Sequence, residues 1–220
     1  MVKTAIIIGA TGLTGNILLQ KLLRDDTSET IKVFSRKPVN INHPKIKEYP
    51  VDLLQLENYK NEFTGDVVYC CIGTTKKQTP DENQYKAIDY GIPVNAAKLA
   101  RQNNIKIFIV ISALGADVNS SIFYNRTKGE MERDVLAQKI EQTYILQPSL
   151  IDYVRNERLG ERIAVYFMRI LNFLLVGSLK KYQSITPEQI AEAMLQLTKR
   201  KFNFDRIESH QIKQIANKEI

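Results

Sequence analysis

The sequence predicts a doubly wound α/β fold, a parallel sheet with helices on both faces. Three observations lead there. Short apolar runs such as "KTAIIIG" 3–9 and "IKIFIVISA" 105–113 have the make-up of strands buried on both sides. Between such runs lie longer stretches whose apolar residues recur at helical spacing. Strand and helix then alternate along the chain, which requires crossover connections and hence a parallel sheet. The 220 residues, 44% apolar and 25% charged, suit one globular domain with a sizeable core.

The elements follow in order. After the strand at 3–9, "TGNILLQKLLRDD" 14–26 reads as a helix, "IKVFS" 31–35 as a second strand and "IKEYPVD" 46–52 as a third. "DVVYCCIG" 66–73 is the fourth strand, and 83–104 is a long helical pattern with Pro93 marking a bend or a helix start. The fifth strand, 105–113, leads to a helix at 124–138 and a sixth strand at 143–148. Beyond Pro148 the regularity weakens. One helix is expected over 159–175 and another over 186–200, the latter with Thr186 as N-cap and Pro187 in its first turn. The last twenty residues read as a terminal strand or a loose tail. Residues 1–220 are expected to form a single domain, with 149–185 as a small substrate-side segment.

Several function classes drop out. The net charge of +7 comes from scattered pairs such as Lys76–Lys77 and Lys180–Lys181, without a basic tail or a nucleic-acid signature. An anionic small ligand accounts for this balance. Cys70 and Cys71 are neighbours on a strand and point to opposite faces, so they are poorly placed to pair. His43 and His210 have no ligand neighbour at useful spacing, so no metal is expected. The most apolar stretch, 163–177, contains Arg169 and Asn172 and is shorter than a span of about 20 residues. It reads as a core or subunit-contact helix, which leaves a homodimer open. A strand beginning near the first residue leaves no room for a signal peptide, and the chain is expected in the cytoplasm.

Gly9, Gly12 and Gly15 of "GATGLTG" join the first strand to the first helix. A dinucleotide site needs a tight turn there, backbone close to the pyrophosphate, and a helix packed close to its strand. The helix start then offers free N–H groups to phosphate. The second strand ends in "VFSRKP", with Arg36 and Lys37 where an NAD site places an acid. An arginine fork suits a 2′-phosphate, so NADP(H) is favoured over NAD(H). Asp52, ending the third strand, is a candidate contact to the adenine amino group.

A second constellation follows the fifth strand. Ser112 stands at its end, and Tyr124 and Lys128 are four apart on the next helix, sharing a face. An ammonium beside a tyrosine favours the phenolate, and such a tyrosine can exchange a proton with a carbonyl or alcohol. The serine hydroxyl could bond the same oxygen.

The blocks "IIIGATGLTGNILLQKLL", "CCIGTTKK", "VISALGADVNSSIFYNRTKGEMERDV" and "YILQPSLI" together resemble the atypical branch of the short-chain dehydrogenase/reductase superfamily. Within it they look like the Tat-interacting-protein-of-30-kDa subgroup. The resemblance implies a Rossmann fold. It also implies Ser112 as carbonyl polariser, Tyr124 as acid and base, and Lys128 as the group that tunes Tyr124 and holds the nicotinamide ribose. Cys71, Ile72, Gly73 and Thr74 resemble the loop on the cofactor's other side, and Pro148 the segment framing the nicotinamide. With Thr11 and Leu13 of the first turn and Ser35 before Arg36, these complete the expected cofactor contacts. The glycine spacing is that of the extended and atypical forms. The leading expectation is an NADP-dependent oxidoreductase acting on a small carbonyl or alcohol. The alternatives are an NADPH-binding sensor without turnover and, lower, a nucleotide-sugar epimerase or dehydratase, for which little chain remains after Pro148.

Overall fold

Alternation along the strands decides the layering. In β1, Thr4–Ile8, the side chains of Ala5 and Ile7 enter one buried cluster while Ile6 and Ile8 enter another. Successive strand residues point to opposite faces, so a strand that is apolar throughout must be covered twice. The same split runs through β4, Val67–Cys70, β5, Ile107–Ile111, and β6, Gln142–Gln147.

The computed structural model describes residues 2–152, 180 and 182–220. With β2, Thr30–Ser35, β3, Ile46–Pro50, and β7, Arg206–Glu208, the strands form one seven-stranded sheet in the order β3-β2-β1-β4-β5-β6-β7, every pair parallel. The chain order reverses direction between β1 and β4, the place where such sheets open a crevice at their carboxyl edge. This is a Rossmann-like fold, as the sequence predicts.

One face carries α1, Leu13–Arg24, together with α5, Pro187–Gln196, and α6, Ser209–Ala216. The other carries α3, Ile92–Gln102, α4, Phe123–Leu136, and a 3₁₀ stretch, Leu53–Tyr59. The Thr186 hydroxyl accepts from Gln189 N–H and the Gln189 side chain answers with a bond to Thr186 N–H, so the expected N-cap is a full capping box.

Two expectations change. The long helix at 83–104 is three pieces: α2, Glu82–Lys86, a π-helical turn, Ala87–Gly91, and then α3. Pro93 lacks the N–H that would reach back to the Asp89 carbonyl, and the wider turn accommodates it. The final twenty residues hold the terminal strand that was one of the two readings of the tail, β7, and add α6, because Ile207, Ile212 and Ile215 bury completely against the α1 side. The expected helix over 159–175, the apolar stretch 163–177 and most of the substrate-side segment 149–185 lie outside the described residues. The two ends of that segment meet. Ile151 pairs with Ile185, Asp152 N–H donates to the Ile185 carbonyl at 2.8 Å, and Ser149 Oγ donates to the Gln183 carbonyl.

Candidate active site

The register brings the carboxyl ends of the strands onto one edge. Ile8 stands beside Phe34 and Cys70, Ser35 beside Pro50, and Ile111 beside Leu146. The residues that follow each strand therefore share that edge: Gly9, Arg36, Asp52, Cys71 to Thr74, Ser112 and Pro148.

The first turn is shaped by close approach. Gly9 has φ +87°, and a Cβ there would sit 2.8 Å from the Cys71 carbonyl oxygen. A Cβ on Gly15 would run into the Gly9 carbonyl, so α1 packs against the turn at backbone contact. Gly12 is the N-cap of α1, with no side-chain cap and no acid in the first turn. Thr11, Gly12 and Leu13 are exposed there. Free N–H groups at the positive end of the helix suit a phosphate.

Beside the turn lies a cavity of about 420 Å³ lined by Arg36, Asp52, Ile72, Gly73, Thr74 and Gln78, among others. Five residues expected at the cofactor thus share one cavity. Arg36 is exposed and makes no ion pair among the described residues. Asp52 has a structural task as well, because its carboxylate accepts Leu54 N–H at 3.0 Å and caps the 3₁₀ stretch. Ser35 is buried, and its hydroxyl donates to the Lys37 carbonyl at 2.7 Å, shaping the turn that presents Arg36. Lys37 itself is exposed. Pro148 is buried and its carbonyl accepts Leu114 N–H at 2.9 Å, tying the ends of β5 and β6 together. The uncapped helix start, the glycine turn and the free guanidinium fit a dinucleotide.

The second constellation sits on α4. Tyr124 is 40% exposed, whereas Lys128 four residues on is 3% exposed. Lys128 Nζ lies 2.7 Å from Asp89 Oδ1, an ion pair without hydrogen-bond alignment. Asp89 Oδ2 accepts Thr74 N–H at 2.7 Å, and Tyr85 donates its hydroxyl to the Thr74 carbonyl at 3.1 Å. Tyr85, unplaced by the sequence, therefore braces the loop that follows β4. Desolvation raises the Tyr124 phenol, Lys128 pulls it down, Asp89 pushes it back, and the net direction is up. The expected lowering of Tyr124 by Lys128 is present but outweighed by burial, and a carboxylate faces the ammonium.

Ser112 is engaged within the protein. It is 3% exposed, and its hydroxyl donates to Glu132 Oε1 at 2.6 Å. The same oxygen accepts from Gln147 Nε2 at 2.8 Å, and Glu132 Oε2 from Arg206 Nε at 2.7 Å. A hydroxyl has one hydrogen, and here it serves Glu132. Sequence reasoning missed both Asp89 and Glu132, because an isolated acid within a helical pattern reads as solvated surface.

The profile of the NAD(P)H-binding family matches residues 9–201. The chain is 30% identical over 198 residues to Protein FMP52, mitochondrial, of Debaryomyces hansenii, covering 88% of this chain and 87% of that one. It is also 30% identical over 170 residues to Protein HTATIP2 of Rattus norvegicus, covering 75% and 70%. Among solved structures, UDP-glucose 4-epimerase of Thermotoga maritima with UDP-glucose superposes with a TM-score of 0.67 at 16% identity, over 98% of this chain and 82% of that one. MoeE5 in complex with UDP-glucose and NAD gives 0.66 at 14% identity, over 98% and 81%. These two establish the fold alone. The cytoplasmic expectation is overturned by the fungal relatives, whose names place them in the mitochondrion; an early first strand shows how the chain packs and does not fix a compartment. The chain belongs to the NAD(P)H-binding family, in the atypical short-chain dehydrogenase/reductase branch that includes the HTATIP2-like proteins.

Proposed function

We propose that the protein is an NADP(H)-dependent oxidoreductase acting on a small carbonyl or alcohol. The observation that carries this reading is Tyr124 with Lys128 on α4, at the same sheet edge as an uncapped, glycine-formed helix start. When bound, the nicotinamide supplies or accepts hydride. The first-turn N–H groups of α1 would hold the pyrophosphate, and Arg36 would pair with the 2′-phosphate from the rim of the cavity. Tyr124 holds a proton on its phenol oxygen, with the exposure to meet a substrate oxygen. Lys128, fixed by Asp89, stands beside it. Ser112 acts at one remove, by orienting Glu132 within the network under β5 and β6.

Titration of the protein with NADPH and NADH, followed by turnover on a panel of carbonyls, tests this. NADPH should bind more tightly, and Tyr124→Phe should lose about 10²–10⁴-fold in turnover. Equal turnover by wild type and variant would refute the mechanism.

The commitment of the Ser112 hydroxyl to Glu132 favours a second reading, an NADPH-binding sensor. That reading wins if NADPH binds tightly and no carbonyl is reduced.

A further inference from the structure

Asp89 is an acid that the proposed chemistry does not use, yet it is among the most enclosed polar residues in the chain. Its side chain is 1% exposed and that of its partner Lys128 4%. Burying two charges costs more than an exposed pair returns, so a buried pair that persists is often kept for something other than stability. Three features of this one set it apart. Asp89 sits in the π-helical turn Ala87–Gly91, a rare geometry frequently found at functional sites. One carboxylate oxygen holds the Thr74 N–H, at a loop that lines the cavity beside the glycine turn. The other faces Lys128, one helical turn from Tyr124.

We propose that Asp89 is a positioning residue that links the cofactor-side loop to Lys128 and cancels the Lys128 charge beside Tyr124, so that the site is set to donate a proton and reduce carbonyls. This rests on the oxidoreductase reading. A lone ammonium next to Tyr124 would stabilise the phenolate, the form that accepts a proton from an alcohol. A neutral ion pair offsets part of that pull. The phenol then stays protonated and is available to a carbonyl oxygen as hydride arrives at its carbon, the phenol O–H bond breaking as the alcohol O–H bond forms. Among the described residues, the titratable groups that act on Tyr124 are Lys128 on α4, Asp89 on the π turn and Tyr85 on α2, and Cys70 at the end of β4 faces the Lys128–Asp89 pair. Burial pushes the Tyr85 phenol up and the Cys70 thiol up to about 12, so both stay neutral near neutral pH, and of these groups the pair carries the charge.

The test is the titration of Tyr124 itself in the full chain without cofactor. It is read as phenolate absorbance and as a ring-carbon resonance assigned by its loss in Tyr124→Phe. In Asp89→Asn, which keeps an oxygen for Thr74 N–H, the Tyr124 titration should move to lower pH, and alcohol oxidation with NADP⁺ should gain activity at lower pH. In Lys128→Gln it should move up. The double variant, Asp89→Asn with Lys128→Gln, carries no unpaired buried charge and should titrate close to wild type. It also keeps the proposal testable if the single Asp89 variant does not fold. An unmoved or upward titration in Asp89→Asn, or a double variant that titrates like Lys128→Gln, overturns the proposal. If the titrations move as stated while no carbonyl is reduced, the role of Asp89 as charge balance stands and the oxidoreductase reading fails.

Discussion

The two halves of the sheet edge are built differently. The β1–α1 turn is made of backbone: Gly9 at positive φ, Gly15 against the Gly9 carbonyl, and a helix start that no side chain caps. The α4 side is made of side chains, and each one depends on a residue far off in sequence. Lys128 leans on Asp89, and Ser112 meets Glu132, which also holds Gln147 and Arg206. The backbone half binds through a shape that few sequences can adopt. The side-chain half sets protonation through charges that only the folded chain brings together.

The difference can be broken at four points, from the largest effect to the smallest. In Gly15→Ala the new methyl meets backbone that cannot rotate away, so α1 must leave β1; a loss of about 4 kcal/mol or more is expected in denaturant unfolding. Gly129→Ala is the counterpart within α4, where a Cβ would strike the Asp117–Val118 peptide, and a similar loss there would show that the side-chain half also rests on one backbone contact. Glu132→Ala strands Ser112 and Gln147 without their shared acceptor, and about 3 kcal/mol should go, by the same measurement. Arg36→Ala should weaken NADPH by about 10–100-fold in a binding titration and leave NADH nearly unchanged; equal losses would remove the 2′-phosphate assignment.

The smallest effect lies far from the edge, in the ion pair joining α1 to α5. Burial pushes the Glu192 carboxyl up, but hydrogen bonds from Lys21 at 2.6 Å and Gln196 at 2.7 Å outweigh it and leave the group lowered. A carboxyl lowered in the folded state contributes stability above its unfolded value, near ~4.3, and loses that contribution as pH falls through the folded value. Glu192→Gln should therefore lose this small contribution at neutral pH and flatten the acid limb, so that the two stability profiles converge at low pH.

How much was legible in the sequence follows from the same contrast. The glycines announce themselves, because no other residue tolerates that turn. Arg36 and Asp52 were found because a strand end fixes where the next residue goes, and both line the cavity. Tyr124 and Lys128 were found because helical spacing is a local rule. Ser112 was placed on β5's extension, but its bond to Glu132 was not legible, since it depends on an acid twenty residues later. Asp89 was hidden for two reasons. It lies in a long helical pattern whose expected break was at Pro93, and it sits in the π turn Ala87–Gly91, which that pattern does not announce. The tail could be read as a terminal strand or as loose, and its final helix was not foreseen, because three isoleucines spread over nine residues give too short a pattern, although tertiary packing buries all three.

The clasp at Ile151 and Ile185 has a consequence for where the chain re-enters the fold. Its hydrogen bonds, with the one from Ser149, bring Leu150–Asp152 and Gln183–Ile185 side by side just beyond the carboxyl end of β6. Thr186, the residue after Ile185, is the N-cap of α5. The start of α5 is therefore anchored to the same sheet edge that carries Pro148, so the clasp sets where the helix covering that face begins.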